Sequence, residues 1–292
     1  MDRNFSLRPL YLYCVRSGAG SLESRAKIEM FETANTFVPF LAIALPFMAL
    51  EAILAKLKGW QYHNLKDSLC NLAILTINFV SRPLSVVYIY ASLKLIEGFA
   101  LFHLPDNIAV AVLALIATDF VYYWQHRYSH KLKWLWFFHE VHHSSRYFNL
   151  TTSFRLHWLN RMVAPLIFAP LILLGFKPEQ VSLFFAFNLF YQFFLHTQAI
   201  GRIPLVEGIL NTPSAHRVHH ARNKEYLNKN FGGILILWDR FFGTYQPEVV
   251  DPKFGIIGSF ESYNPFTVQF HKLALYRTVA EKLSRLLRPV RS

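Results

Sequence analysis

The chain has 292 residues, 53% of them hydrophobic and 16% aromatic, with 28 Phe and only 16% charged. Soluble chains average about 25% charged residues, so this composition argues against a water-soluble globule and for a bilayer protein. Two cysteines, Cys14 and Cys70, are too few for a disulfide framework or a cysteine-based zinc site. The net charge of +12 suits nucleic acid or anionic lipid in principle, and the long apolar runs favour lipid; no nucleic-acid partner is expected.

In chain order, residues 1–35 read as a basic N-terminal arm with Arg3, Arg8, Arg16, Arg25 and Lys27 but no apolar signal-peptide core. Met30 stands just before the first apolar run, and translation from it would leave residues 1–29 outside the protein. Residues 36–125 read as transmembrane helices. The run Thr36–Ala55, at about 20 residues, can span a bilayer. Ser68–Phe102 carries Pro83 near its middle and predicts a kinked helix. After the turn Leu104-Pro105-Asp106-Asn107, Ile108–Gln125 forms the next span. Within the region 126–247, residues 162–196 form two shorter apolar runs parted by Lys177-Pro178-Glu179, a membrane hairpin. The segments on either side of it are polar, basic and rich in histidine, so they lie outside lipid, and their Lys and Arg place them on the cytoplasmic face. Residues 248–292 form a basic C-terminal tail whose Lys, Arg and Leu spacing predicts an interfacial amphipathic helix on anionic lipid. The expected fold is all-α: an integral, multi-pass membrane bundle of about four spans plus the hairpin, with a cytoplasmic histidine-rich helical cap.

Eight of the 13 histidines fall in three groups: His126 and His130; His139, His142 and His143; His216, His219 and His220. Residues three and four apart share a helix face, so each group offers two or three converging imidazoles. Eight imidazoles exceed the four positions of one tetrahedral site and suit two ions. Imidazole accepts Zn, Cu, Fe or Ni, so ligand type alone leaves the metal open. Asp119 lies two helical turns before His126 inside a predicted span, where a carboxylate is expensive and usually functional; it is expected to orient a ligating histidine from behind. His196, at the end of the hairpin, is a ninth candidate ligand, and His157 a candidate supporting group rather than a ligand. Glu140 points away from His139 and reads as a surface or supporting group. The isolated His63, His103 and His271 read as structural.

These residues resemble the fatty acid hydroxylase/sterol desaturase superfamily of membrane di-iron proteins, whose signature is H-x3-H, H-x2-H-H and H-x2-H-H in this order. The flanks Asp119–Arg127, Phe187–Thr197, Asn211–Asn223, Asn230–Asp239 and Phe242–Tyr245 are most similar to its ether-lipid-cleaving members. Lys131 departs from them, standing where they carry an acidic residue, and His157 falls where bacterial sterol-desaturase-like members have a histidine. The resemblance implies His126, His130, His139, His142, His143, His216, His219, His220 and His196 as ligands to two iron ions, for which zinc can substitute.

It further implies an O2-dependent oxidation of a lipid: a monooxygenase that hydroxylates, with ether cleavage when the attacked carbon adjoins an ether oxygen. Sterol or fatty-acyl hydroxylation and desaturation are the alternatives within the superfamily. Two electrons must come from outside, from a partner protein or a small reductant; the resemblance suggests a reduced pterin. A zinc-dependent membrane hydrolase is a different reading, because His139-Glu140-Val141-His142-His143 also satisfies H-E-x-x-H. It leaves the other two boxes unused. A metal-storage or haem-binding protein is a third, and haem needs far fewer histidines.

Overall fold

The computed structural model describes residues 22–258 and 260–273. Nine α-helices and three short 3-10 turns make up these residues, and the only β pairing among them is three isolated bridges. The helices are α1 (Leu22–Lys58), α2 (Leu65–Glu97), α3 (Ile108–Lys131), α4 (Lys133–His143), α5 (Ala164–Leu173), α6 (Pro178–Phe193), α7 (Pro213–His220), α8 (Leu237–Phe241) and α9 (Pro265–Phe270). Residues 1–21 of the expected arm and 274–292 of the expected amphipathic tail lie outside the described residues.

Three helices among the described residues are long and apolar enough to cross a membrane: Pro39–Lys58 of α1, and the whole of α2 and α3. The hairpin helices α5 and α6 have 10 and 16 residues, short of a full crossing, and pack beside the three crossings found among the described residues. The molecule is an integral membrane protein whose long helices turn Leu57, Leu65, Val80, Leu84, Leu95 and Ile108 outward, as contact with lipid requires. Helix α1 begins upstream of the first apolar run and contains Pro39 and Pro46, which the helix absorbs without ending.

Local chemistry sets the helix starts. The Asn64 side chain accepts from the Asp67 amide at 3.1 Å to begin α2, and Asn107 accepts from Val110 at 3.0 Å to begin α3. Thr212 caps α7 through the Ala215 amide at 3.2 Å, with Pro213 in the first turn, where its missing N–H costs nothing. The hairpin is held between α2 and α3 by Leu93, Ala114, Phe168, Leu171, Ile172 and Val181. A second apolar cluster, Ala44, Met48, Leu150, Phe154 and Phe193, joins α1 to α6 through the 3-10 turn at Leu150–Phe154.

Polar residues tie the spans to the cap. Glu51, inside α1 and 4% exposed, accepts from the Leu150 amide at 2.8 Å and from the Thr197 hydroxyl. Arg155, 1% exposed, donates to Ser144 Oγ at 2.8 Å, Asn71 Oδ1 at 2.9 Å and Asp67 Oδ1 at 3.3 Å. Buried charge is tolerated only when paired and bonded in this way, and here it fixes the segment after α4 onto α2.

Candidate metal centre

Helix α3 runs apolar through its first half and ends in the cap, carrying His126 and His130 on the face that also buries Asp119, Tyr122 and Tyr123. A single non-helical residue, Leu132, turns the chain into α4, which packs on α3 and buries His139, His142 and His143. His196 follows the last turn of α6, and α7 supplies His216, His219 and His220. Four elements therefore bring together all nine candidate histidines.

They form two groups. His126, His130, His139, His143 and His219 make the first; His142, His196, His216 and His220 make the second. Within each group the ligand atoms lie within 4.8 Å of one another. Eight of the nine rings are buried, and His130 is partly exposed. Adjacent His142 and His143 go to different groups, because successive helical residues diverge by about 100°. His143 of the first group stacks on His220 of the second, with centroids 4.3 Å apart and planes at 23°.

The hydrogen bonds settle where the lone pairs point. The Nδ1–H of His126 donates to the Phe231 carbonyl at 2.9 Å, that of His219 to the Lys229 carbonyl at 3.0 Å, and that of His196 to the Gln192 carbonyl at 2.7 Å. A carbonyl only accepts, so in each ring the proton is on Nδ1 and the lone pair on Nε2. Those Nε2 atoms face other Nε2 atoms: His126 to His139 at 3.0 Å, His196 to His142 at 3.1 Å and His196 to His216 at 3.1 Å. His143 Nε2 stands 3.0 Å from His139 Nε2. The Nε2 atoms of His130, His219 and His220 are buried without any hydrogen-bond partner.

With the facing rings in the same tautomer, the converging lone pairs would repel unless a cation lay among them. Two nitrogens each about 2.1 Å from one ion and at right angles would be about 3.0 Å apart, so the observed spacing fits imidazoles sharing a metal. Burial pushes the pKa of His139, His142, His143, His216, His219 and His220 well below the ordinary 6.5, and neighbouring imidazoles add to it. The rings are thus neutral, the form that binds metal. Phe148 lies against His196, His216 and His220, and Trp136 against His130 and His143, so aromatic walls keep water from both groups.

The other candidates lie elsewhere. Asp119 touches no imidazole, contrary to expectation. Its carboxylate accepts from the Asn188 side chain at 2.6 Å, the Ile234 and Leu235 amides at 2.8 and 3.1 Å, and the Trp238 indole at 2.9 Å. Two helical turns put it on the His126 face but some 10 Å away along the axis, beside a loop the spacing argument leaves out. His157 is buried against Phe137, Phe138 and Phe270, and its Nδ1 accepts the Leu159 amide at 3.1 Å. It belongs to an aromatic cage and meets none of the nine histidines. Burial pushes its pKa down to about 4. Glu140 is 1% exposed rather than on the surface, paired with Lys272 and 3.6 Å from His271 Nε2. Its carboxylate pairs with the C-terminal tail rather than with any of the nine imidazoles. His63, expected to be merely structural, has Nε2 3.6 Å from Glu51.

The carbonyl partners of His126 and His219 are not legible from histidine spacing. Lys229 and Phe231 belong to a loop that a carboxylate, Asp239, holds through the Phe231 and Gly232 amides at 2.8 and 2.7 Å. The available signal was Asn230-Phe231-Gly232-Gly233, a run that suits a backbone packed tightly against its neighbours.

Comparison with known proteins places these features. Residues 111–244 match the fatty acid hydroxylase family model. The chain is 36% identical over 256 residues to alkylglycerol monooxygenase from Homo sapiens, covering 83% of this chain and 56% of the relative. It is 42% identical over 172 residues to the Danio rerio alkylglycerol monooxygenase, covering 58% of this chain and 38% of the relative. It is 32% identical over 161 residues to ornithine lipid hydroxylase OlsE from Rhizobium tropici, covering 53% of this chain and 48% of the relative. The chain thus spans about half or less of the length of each of these relatives. No solved structure matches it. All three histidine boxes fall inside residues 111–244, the segment that matches the fatty acid hydroxylase family model.

Proposed function

We propose that the chain is a membrane lipid monooxygenase that holds two iron ions, one in each histidine group, and uses O2 to oxidise a lipid, with ether-lipid cleavage as the leading reaction. The observation that carries this reading is the nine-imidazole cluster at the end of membrane-crossing helices, in which Nε2 atoms converge at 3.0–3.1 Å and the carbonyls behind His126 and His196 fix their lone pairs toward that point. The ions, when bound, supply the activation of O2 that an unactivated C–H bond requires. Zinc would fit the same nitrogens without supplying redox chemistry.

The chain's own part is placement and exclusion. His126, His130, His139, His143 and His219 hold one ion; His142, His196, His216 and His220 hold the other. Phe148, Phe231 and Trp136 cover the imidazoles and exclude water. A cavity of about 420 Å³ between α1 and α2 is lined by Leu45, Met48, Ala49, Leu72, His63 and Thr151, among others. Apolar side chains with a few polar groups at the rim suit a lipid entering from the bilayer. The cavity wall at Thr151 adjoins Leu150, which Glu51 links to Thr197 beside His196. In the reaction one oxygen atom enters a C–H bond and the other leaves as water, using two electrons and two protons. The electrons come from an external donor, a reduced pterin or a donor protein. Hydroxylation next to an ether oxygen gives a hemiacetal that collapses to aldehyde and alcohol. The Lys and Arg of the segments around the boxes support a centre on the cytoplasmic face, against anionic lipid.

The test supplies membranes containing the protein with an alkylglycerol, O2 and a reduced pterin, and measures fatty aldehyde. Aldehyde formation that needs all three supports the proposal. A hydroxylated sterol or acyl chain without aldehyde would remove ether cleavage and keep the oxygenase. No oxidised lipid with any donor, from protein holding two irons, would overturn it.

A further inference from the structure

The loop Lys229–Leu235 has no regular structure, yet its backbone is among the most heavily bonded in the molecule. Asn230 sits at φ +57°, a left-handed conformation uncommon outside glycine. Its side chain donates to the Ala215 and Gln246 carbonyls at 3.0 and 2.7 Å and accepts the Gln246 amide at 2.8 Å. The next residues carry two clamps. Asp239 accepts the Phe231 and Gly232 amides, and the Thr244 hydroxyl at 2.6 Å. Asp119 accepts the Ile234 and Leu235 amides from the opposite side. The glycines permit this approach: a Cβ on Gly232 would fall 2.5 Å from the Leu235 carbonyl, and one on Gly233 would fall 2.3 Å from Asn188 Nδ2.

What the clamped loop presents is two carbonyls. Lys229 O holds His219 Nδ1 and Phe231 O holds His126 Nδ1, and both rings belong to the five-histidine group. No histidine of the four-membered group bonds to this loop; His196 takes its carbonyl from Gln192 on α6. Acidic partners usually orient ligating imidazoles by direct contact. Here Asp239 is set back by one peptide, on the Gly232 amide that shares its peptide with the Phe231 carbonyl, and Asp119 holds the same loop further along at Ile234 and Leu235, both acting through the backbone.

We propose that Asp239 and Asp119 are positioning residues that set the tautomer and aim of His126 and His219 through this loop, and so govern retention of the ion in the five-histidine group alone. The inference rests on the two-ion reading above. Asp239→Asn retains the size of the side chain but turns one acceptor into a donor facing a backbone N–H, so one clamp bond becomes repulsive. Thr244→Val removes one donor to Asp239 while leaving the carboxylate on the loop, a milder perturbation of the same clamp.

The experiment reconstitutes the full-length protein in detergent with Co2+. It measures ions per chain by elemental analysis, follows release of each ion to a chelator and records thermal unfolding of the metal-free forms. The expected result is two ions in the wild type. In Asp239→Asn and Asp119→Asn one ion is released about 10–100-fold faster and the other at the wild-type rate. Thr244→Val shifts the same ion in the same direction by less, and serves alone if the Asp variants cannot be purified. Equal acceleration of both ions, or of neither, in protein that starts with two would overturn the clamp and leave the two-ion reading standing. A wild type that never holds more than one ion would overturn both.

Discussion

Arg155→Met tests whether the buried network behind the second histidine box is held by a paired charge. The guanidinium is 1% exposed and bonds to Ser144, Asn71 and Asp67, with Ser262 O at 3.4 Å. Asp67, 2% exposed, would keep only Asn71 at 3.1 Å and Ser145 at 2.8 Å, besides the cap of α2 nearby. Removing one partner of a buried ion pair strands the other charge and costs about 3–5 kcal/mol, a large part of a total stability of about 5–15 kcal/mol. At about 2–4 °C per kcal/mol for a chain of this size class, the expected drop in Tm is roughly 10 °C. Asp67→Asn combined with Arg155→Met removes both charges and should recover most of the loss, since replacing a whole buried pair is often near neutral. Thermal unfolding in one detergent, with Ser144 and the adjoining His143 followed through metal content, makes the comparison. A single variant within about 2 °C of wild type, or a double variant no better than the single, would refute the reasoning.

Alanine at His126, His130, His142, His143, His219 or His220 is expected to abolish lipid oxidation while membrane insertion, measured by fractionation, is unchanged; His103→Ala, at an exposed position, should alter neither. Glu140→Gln is expected to retain lipid oxidation, because Glu140 pairs with Lys272 rather than facing the imidazoles; loss of turnover with normal abundance would reopen the hydrolase-type reading. The His157 pKa is lowered from 6.5 to about 4 by burial, so the folded state refuses a proton that the unfolded chain accepts. That stability is complete above pH 6.5 and lost as pH falls toward 4, by about 1.4 kcal/mol at pH 5.5. His157→Leu should therefore show a flatter Tm-versus-pH profile over this window than the wild type, and an unchanged slope would discard the assignment.

The histidine boxes were legible because helical spacing converts i, i+3 and i+4 directly into a shared face, and the apolar runs because a bilayer demands them. His196 was legible more weakly, as one histidine at the end of a hairpin. How the nine rings divide into five and four was not legible: helical divergence separates His142 from His143, but which of the other seven rings joins each of them is set by tertiary packing. Asp119 shows the limit of periodicity. Its partners Ile234, Leu235 and Trp238 lie more than a hundred residues away, and two of them bond through backbone amides that no side-chain pattern reveals. The surface alternative for Glu140 failed for a related reason, since its partner Lys272 lies 132 residues further along the chain.

The most direct test is the iron content and its electronic state. Protein reconstituted anaerobically with 57Fe2+ and studied by elemental analysis and Mössbauer spectroscopy should hold two irons per chain, in two nitrogen-rich environments, lost in step with alanine substitution in the respective histidine groups. Saturation at one iron or fewer per chain, or two irons retained when His139 and His216 are both replaced, would contradict a two-iron centre built from these nine imidazoles.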